Sequence, residues 1–135
     1  MNIRKFEPED REELIALWRT VFPDSHAHNE PSLVLEEKLK VDDLIFIAQH
    51  EQTLIGACIA GYDGHRGWLY SVAVHPDSRR NGVGASLVRH AIAQLKTIGC
   101  NKVNIQIRAT NTAVITFYEV LGFDTEERVS MGALL

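Results

Sequence analysis

The sequence predicts a single mixed α/β domain, with a central sheet of about six to seven strands flanked by four helices. Three observations carry this. Apolar residues recur at helical spacing in some stretches and alternate with period two in others, and the two patterns interleave along the chain. The 135 residues are the length of one compact domain, and 45% are hydrophobic, enough for a core. No internal repeat, low-complexity tract or Pro/Gly/Ser linker divides the chain, so residues 1–135 read as one unit.

Taken in order, Ile3–Phe6 is a short strand. Pro8 suits a first helical turn, and Glu9 and Asp10 suit the positive end of the helix dipole. Leu14, Leu17, Trp18 and Val21 follow at helical spacing, and Pro23 ends this helix. A polar loop, Asp24–Glu30, leads to Pro31 and a second helix reaching about Lys40. Leu44–Gln49 and Thr53–Tyr62 are apolar strands around a polar turn at Glu51 and Gln52, and Asp63-Gly64 is a turn dipeptide. Trp68–His75 is the next strand, stopped by Pro76. Gly82 and Gly84 open a helix whose stripe is Val88, Ala91, Ile92, Leu95 and Ile98, with Gly99 as its C-terminal cap. Lys102–Arg108 alternates as a strand. Asn111 caps a helix bearing Val114, Phe117, Tyr118 and Leu121, which Gly122 ends. Phe123–Thr125 and Val129–Leu134 complete the expected sheet, and an edge strand near the C-terminus is able to pair in a homodimer.

Charge and composition narrow the function. A net charge of −4 gives no electrostatic support for general nucleic-acid binding. Residues 1–67 carry 7 Lys/Arg against 13 Asp/Glu, whereas residues 68–135 carry 7 against 5. The plain reading is solvated faces; the sharper one is an acidic side for a cation and a basic side for an anion. No stretch is long and apolar enough to span a membrane and Met1–Phe6 has no signal-peptide core, so a cytoplasmic protein is expected. Cys58 and Cys100 do not make a disulfide framework and read as buried thiols. The histidines lack metal-ligand spacing with partners, so no metal is expected.

The informative stretch runs Val72-Ala73-Val74-His75-Pro76-Asp77-Ser78-Arg79-Arg80-Asn81-Gly82-Val83-Gly84. An apolar strand stops at proline, a short polar loop follows, and two glycines start a helix. Glycine lets backbone N–H groups approach an anion, and free N–H groups at a helix start attract one. Arg79 and Arg80 add positive charge. A P-loop is excluded because Gly84 is followed by Ala85-Ser86 rather than Lys-Ser/Thr, and a dinucleotide fingerprint lacks its third glycine and its acidic residue. The competing structural reading is a pair of glycines serving tight helix–strand packing.

Arg79-x-x-Gly82-x-Gly84 is similar to the Arg/Gln-x-x-Gly-x-Gly/Ala signature of the GNAT N-acetyltransferase superfamily. Val72–Pro76 resembles that family's central strand, and Asn111, Ala113, Phe117, Tyr118, Leu121, Gly122 and Phe123 resemble its looser second motif. The element order fits nearly the full chain. Gly61-Tyr62-Asp63-Gly64-His65-Arg66-Gly67 adds a resemblance to the small bacterial YpeA-like acetyltransferases.

The resemblance implies acetyl-CoA as co-substrate, with its pyrophosphate held by backbone amides of Arg80, Asn81, Gly82, Val83, Gly84 and Ala85. Arg79 would help neutralise the phosphates. The strand Val72, Ala73, Val74 would pair with the pantetheine arm, and the Val72 N–H would polarise the thioester carbonyl, an oxyanion-type role. Asn111 would touch the cofactor arm, or serve only as a helix cap. Tyr118 would be the general acid near the departing sulfur, or a core aromatic. Trp18, His28 and Asn29 would lie in the region lining the acceptor side. The central strand offers no carboxylate at Trp68-Leu69-Tyr70-Ser71, which leaves Asp63, His65, Tyr70 or water to handle the proton.

The implied reaction is direct acetyl transfer to a small-molecule amine, or to a peptide or protein amine at an N-terminus or lysine. A non-catalytic acyl-CoA-binding module and a phosphate-binding module are the other readings of the same loop.

Overall fold

The computed structural model describes residues 1–24 and 26–135. Part of the expected Asp24–Glu30 loop, Ser25, lies outside the described residues. The chain forms two compact units, Met1–Ile105 and Gln106–Leu135.

The first unit is a five-stranded sheet with helices on both faces. β1 (Asn2–Lys5), β2 (Ile45–His50), β3 (Thr53–Tyr62) and β4 (Gly67–Val74) pair antiparallel in that order, and β5 (Val103–Ile105) runs parallel to β4. The parallel step is bridged by α3 (Val83–Thr97), as parallel neighbours require. α1 (Arg11–Val21) and α2 (Pro31–Val41) lie between β1 and β2 in the chain.

The α1 and α2 side holds the main core. Leu14, Leu17 and Trp18 of α1 and Leu35 of α2 pack with Ile45, Ile47, Ala57, Ile59 and Ala73 of the sheet. α3 buries Val83, Leu87, Val88, Ala91 and Leu95 on the other face. Its stripe begins earlier than the sequence pattern suggests and ends before Ile98, which caps the helix and is exposed. Gly99 closes α3 at φ +95, where its N–H donates to Lys96 O and the Cys100 N–H to Leu95 O. That is the glycine-terminated end read from the sequence.

The acidic excess of the N-terminal half is partly neutralised locally. Arg4, Lys5, Arg11, Arg19, Lys38 and Lys40 each pair with a carboxylate, on Asp10, Asp43, Glu36, Glu30, Asp42 and Glu37 respectively. Cys58 and Cys100 are both buried free thiols, and burial pushes the Cys58 thiol up to about 12.

The second unit carries α4 (Thr112–Val120). Asn111 caps it, its side chain accepting the Val114 N–H at 3.3 Å. Gly122, at φ +96, ends it: the Phe123 N–H reaches back to Tyr118 O at 3.0 Å, and the Tyr118 and Phe123 rings meet edge to face 5.3 Å apart. Hydrogen bond and ring contact are the two components of this helix ending.

The strand count is a correction. The sheet has five strands among the described residues, because Phe123–Thr125 and Val129–Leu134 form none and Lys102–Arg108 is a strand only at Val103–Ile105. Alternation is necessary for a half-buried strand, but a ladder partner must complete it. Val129, Met131 and Leu134 are highly exposed, and Ser130 is tied to Gln106 only through side chains.

Candidate active site

The site is built on β4. Opposite this strand, Ile59 pairs with Tyr70 and Ala57 with Ala73. Two steps along β3 therefore match three along β4, which is a β-bulge at Ser71 and Val72. Without the extra residue, Tyr70 and Ala73 would face opposite sides; with it, both share the face of Ile59 and Ala57. Ser71 takes a left-handed φ of +52, unusual for a residue with a side chain. Its carbonyl accepts the indole N–H of Trp18 at 3.1 Å, and Trp18 is fully buried in α1. A buried tryptophan requires a partner for its N–H, and here that partner is the distorted strand.

The other edge of β4 is paired with β5 only at Gly67, Trp68 and Leu69. From Tyr70 to Val74 it has no strand partner among the described residues, and such an edge can accept an extended chain. The stretch includes Val72, Ala73 and Val74. The ladder with β3 continues one step past the strand, where the His75 N–H donates to Ile55 O.

Beyond His75, the turn Pro76–Ser78 is capped by the His75 ring, whose Nδ1 accepts the Asp77 N–H. Arg79 folds back: its Nε donates to Val74 O at 3.2 Å, tying the loop to the end of the strand. Arg80 at φ +67 and Gly82 at φ +76 then turn the chain into α3. Arg79, Arg80, Asn81 and Gly82 are exposed, Gly84 and Ala85 are half-buried, and Val83 is buried. No side chain caps α3 and no acidic residue lies in its first turn. The leading N–H groups of a helix have no intrahelical acceptor, so this end attracts an anion.

Gly56 explains how that end comes so close to β4. A Cβ on Gly56 would lie 3.0 Å from both Leu87 Cδ1 and Val83 Cγ1, and 3.1 Å from Ala73 O. The bare backbone of β3 thus lets the first turns of α3 settle against the sheet, opposite Val74. Gly56 and the Trp18–Ser71 bond are absent from the residues singled out by sequence. A glycine inside an apolar strand was the available signal for the first; nothing in the sequence marks a serine for positive φ.

The proton-handling candidates separate by environment. The Arg66 and His65 backbone N–H groups, at 2.7 and 2.8 Å from Oδ1, hold the Asp63 carboxyl below its ordinary range. Asp63 is therefore committed to the β3–β4 hairpin. Burial, then the Asp42 carboxylate, pushes the Tyr70 phenol above its ordinary 10.0. That shift favours the protonated phenol. His65 is exposed in the hairpin.

Asn111 and Tyr118 belong to the second unit, seven residues apart on and before α4. Tyr118 is flanked by the edge-to-face rings of Phe117 and Phe123, at 4.9 and 5.3 Å. Among the described residues, no group of three or more His, Cys, Asp or Glu could hold a metal, and no helix is long and apolar enough to cross a membrane.

A bulged strand with an open edge, running into an uncapped helix start, is an α/β architecture able to take an extended anionic ligand. Residues 11–123 match the Acetyltransferase (GNAT) family, and the chain belongs to that family, whose acetyl donor is acetyl-CoA. An acetyltransferase of Yersinia pseudotuberculosis is 38% identical over 136 residues, spanning 100% of this chain and 96% of that protein. Among solved structures, the aminoglycoside N-acetyltransferase AAC(6')-Iy, in complex with a CoA bisubstrate analogue, superposes with a TM-score of 0.82 at 23% identity, over 99% of this chain and 97% of that one. The ribosomal-protein-S18-alanine N-acetyltransferase of Escherichia coli gives a TM-score of 0.79 at 24% identity, over 91% and 77%. At these identities, the two structural likenesses are likenesses of fold.

Proposed function

We propose that residues 1–135 act as one N-acetyltransferase domain in the cytoplasm, moving an acetyl group from acetyl-CoA directly to an amine bound at the same time. The observation that carries this reading is the continuity of β4, its bulge, and the uncapped start of α3. An unpaired strand edge at Val72, Ala73 and Val74 suits the amide-bearing pantetheine arm. It leads to a positive helix end that suits the pyrophosphate, at the backbone amides of Arg80, Asn81, Gly82, Val83, Gly84 and Ala85. Arg79, tied to Val74 O, positions this loop and leaves its remaining guanidinium donors for phosphate.

Acetyl-CoA supplies a thioester whose carbonyl carbon is the electrophile. The acceptor nitrogen bonds to that carbon, the C–S bond breaks, and the sulfur leaves with its electron pair. The Val72 N–H, beside the bulge, donates to the carbonyl oxygen as negative charge grows there. Tyr118 keeps the general-acid role implied by its motif and protonates the sulfur; Asn111, whose side chain caps α4, contacts the cofactor arm. The amine proton leaves through water, since Asp63 serves its turn, Tyr70 holds its proton and His65 lies in the exposed hairpin. That favours an acceptor of modest pKa: at pH 7 an α-amine is neutral about once in seven, a lysine-type amine about once in 2,500.

The two structural neighbours are named for a protein alanine and an aminoglycoside. The acceptor is accordingly a small-molecule amine or a peptide or protein amine. The test is thiol release from acetyl-CoA across a panel of amines and peptides, paired with calorimetry of acetyl-CoA binding. Release that depends on one acceptor class is the expected result. Binding without release in any panel member would make the chain an acyl-CoA-binding module, and absence of both would overturn the reading.

A further inference from the structure

Trp18 is 1% exposed, so its ring cannot touch an acceptor in solution. What it presents is one N–H, given to Ser71 O at 3.1 Å. A buried indole needs some acceptor, and many carbonyls would serve. This one belongs to the residue of β4 held at φ +52, at the bulge. A bond aimed at the distorted residue of the strand does more than satisfy a donor. It selects a conformation that a residue with a side chain otherwise disfavours.

The consequence falls on Val72, because Ser71 O and the Val72 N–H belong to the same peptide group. In a trans peptide the two point in opposite directions. The indole draws the carbonyl toward α1, so the Val72 N–H is aimed away from that helix. Its neighbours show which edge it lies on. The His75 N–H donates to Ile55 O of β3, and Ala73 O lies 3.1 Å from a Cβ built on Gly56 of β3. Val74 O, between them, is on the other side, where Arg79 Nε reaches it. Backbone groups alternate in this way along a strand, which puts Val72 with Val74 on the edge that β5 leaves open. A donor bonded to the carbonyl oxygen also draws electron density across the amide and makes its N–H a stronger donor.

We propose that Trp18 is a positioning residue for acetyl transfer: its indole N–H fixes and polarises the Ser71–Val72 peptide, so that the Val72 N–H meets the thioester carbonyl oxygen as charge grows there. This rests on the reading of Val72 as the oxyanion donor and names what holds that donor in place. Stabilisation of this kind depends on a dipole oriented before the reaction, and an unsupported bulge peptide can rotate. With the indole in place, rotation would leave both a buried indole N–H and a carbonyl unsatisfied. The helix that carries Trp18 thus acts on the reacting carbonyl through one backbone group, without meeting substrate.

The experiment reads the bound thioester itself and needs no acceptor. Acetyl-CoA isotopically labelled at its carbonyl carbon is bound to the protein, and isotope-edited infrared spectroscopy compares its carbonyl stretch with that of free acetyl-CoA. In the parent the band should lie at lower frequency, the signature of a hydrogen bond to the oxygen. Trp18→Phe should move it back toward the free value, while calorimetry shows acetyl-CoA affinity nearly unchanged. With an acceptor that turns over, kcat should fall about tenfold, short of the roughly 10²–10³-fold lost with an oxyanion donor itself, and the KM for acetyl-CoA should stay nearly constant. Replacement of Trp18 by benzothienylalanine keeps the ring and exchanges its N–H for sulfur. It should give the same shift, and it covers the case that Trp18→Phe does not fold. A shifted parent band that the replacements leave in place would overturn the positioning role and leave acetyl transfer standing. A parent band at the free frequency would overturn the Val72 contact, and absence of acetyl-CoA binding the whole reading; either takes this proposal with it.

Discussion

The indole N–H of Trp18 donates to the carbonyl of Ser71 at 3.1 Å, tying the first helix to the one point where β4 departs from regular pairing. Ser71 is held at φ +52, a conformation glycine adopts freely and a β-branched residue resists. Trp18→Phe should therefore cost about 1–3 kcal/mol through the unsatisfied carbonyl. Ser71→Gly should be neutral or stabilising by up to about 1 kcal/mol, and Ser71→Val should destabilise. Urea denaturation measures all three. If Trp18→Phe matches the parent and Ser71→Val is tolerated, the bulge is not held by this bond.

Gly56, Gly82 and Gly84 are near one another in the fold but should fail differently. Gly56→Ala drives a methyl against Leu87, Val83 and a backbone oxygen at 3.0–3.1 Å, an overpacking cost of about 1–3 kcal/mol. Its acetyl-CoA affinity should fall too, because the start of α3 must move from β4. A Cβ on Gly82 meets no atom within 4 Å, so Gly82→Ala carries only the φ +76 penalty, about 1 kcal/mol. Gly84→Val should leave the circular dichroism spectrum intact and lose most acetyl-CoA binding by calorimetry. Unchanged affinity in Gly84→Val would remove the loop from the binding site.

How much of this was legible follows from which forces are local. α1, α3 and α4 announce themselves through apolar spacing and through Gly99 and Gly122, whose positive φ requires little but the chain itself. The strand–proline–loop–glycine run through Gly84 was equally readable, because both its geometry and its chemistry are contiguous. The Ser71 bulge was not, since it depends on a tryptophan 53 residues away. Val129–Leu134 was misread as a strand because alternation is a property of the segment and a ladder is not.

Glu30 gives a pH dependence with a definite sign. Its carboxylate accepts the Ser32 hydroxyl and the Ser32 and Leu33 N–H groups at the start of α2, and pairs with Arg19 at 2.8 Å. The Ser32 hydroxyl and then Arg19 hold it at about 2, below its ordinary 4.5. Since the folded value is the lower one, its contribution is full above 4.5 and is lost as pH falls toward about 2. Glu30→Gln should thus unfold earlier than the parent near neutral pH, and the two curves should converge across that acid window. A difference that persists at the acid end would assign the effect to packing at the helix start rather than to charge.

Tyr118→Phe isolates one oxygen atom. The ring sits between Phe117 and Phe123, at 4.9 and 5.3 Å, and the Tyr118 carbonyl that accepts the Phe123 N–H is backbone. Phenylalanine keeps both ring contacts and the helix ending, so the loss reports the hydroxyl. A general acid contributes about 10²–10⁴-fold, and a thiolate whose conjugate acid has a pKa near 8.5 needs little help, so the drop in kcat should lie near the low end. The KM for acetyl-CoA should change much less than kcat. Under the proposed role, protonation of the departing sulfur, the defect should shrink further with a thioester whose thiol is more acidic than that of coenzyme A. A Tyr118→Phe enzyme with full kcat on its best acceptor would show that the residue is there for its ring.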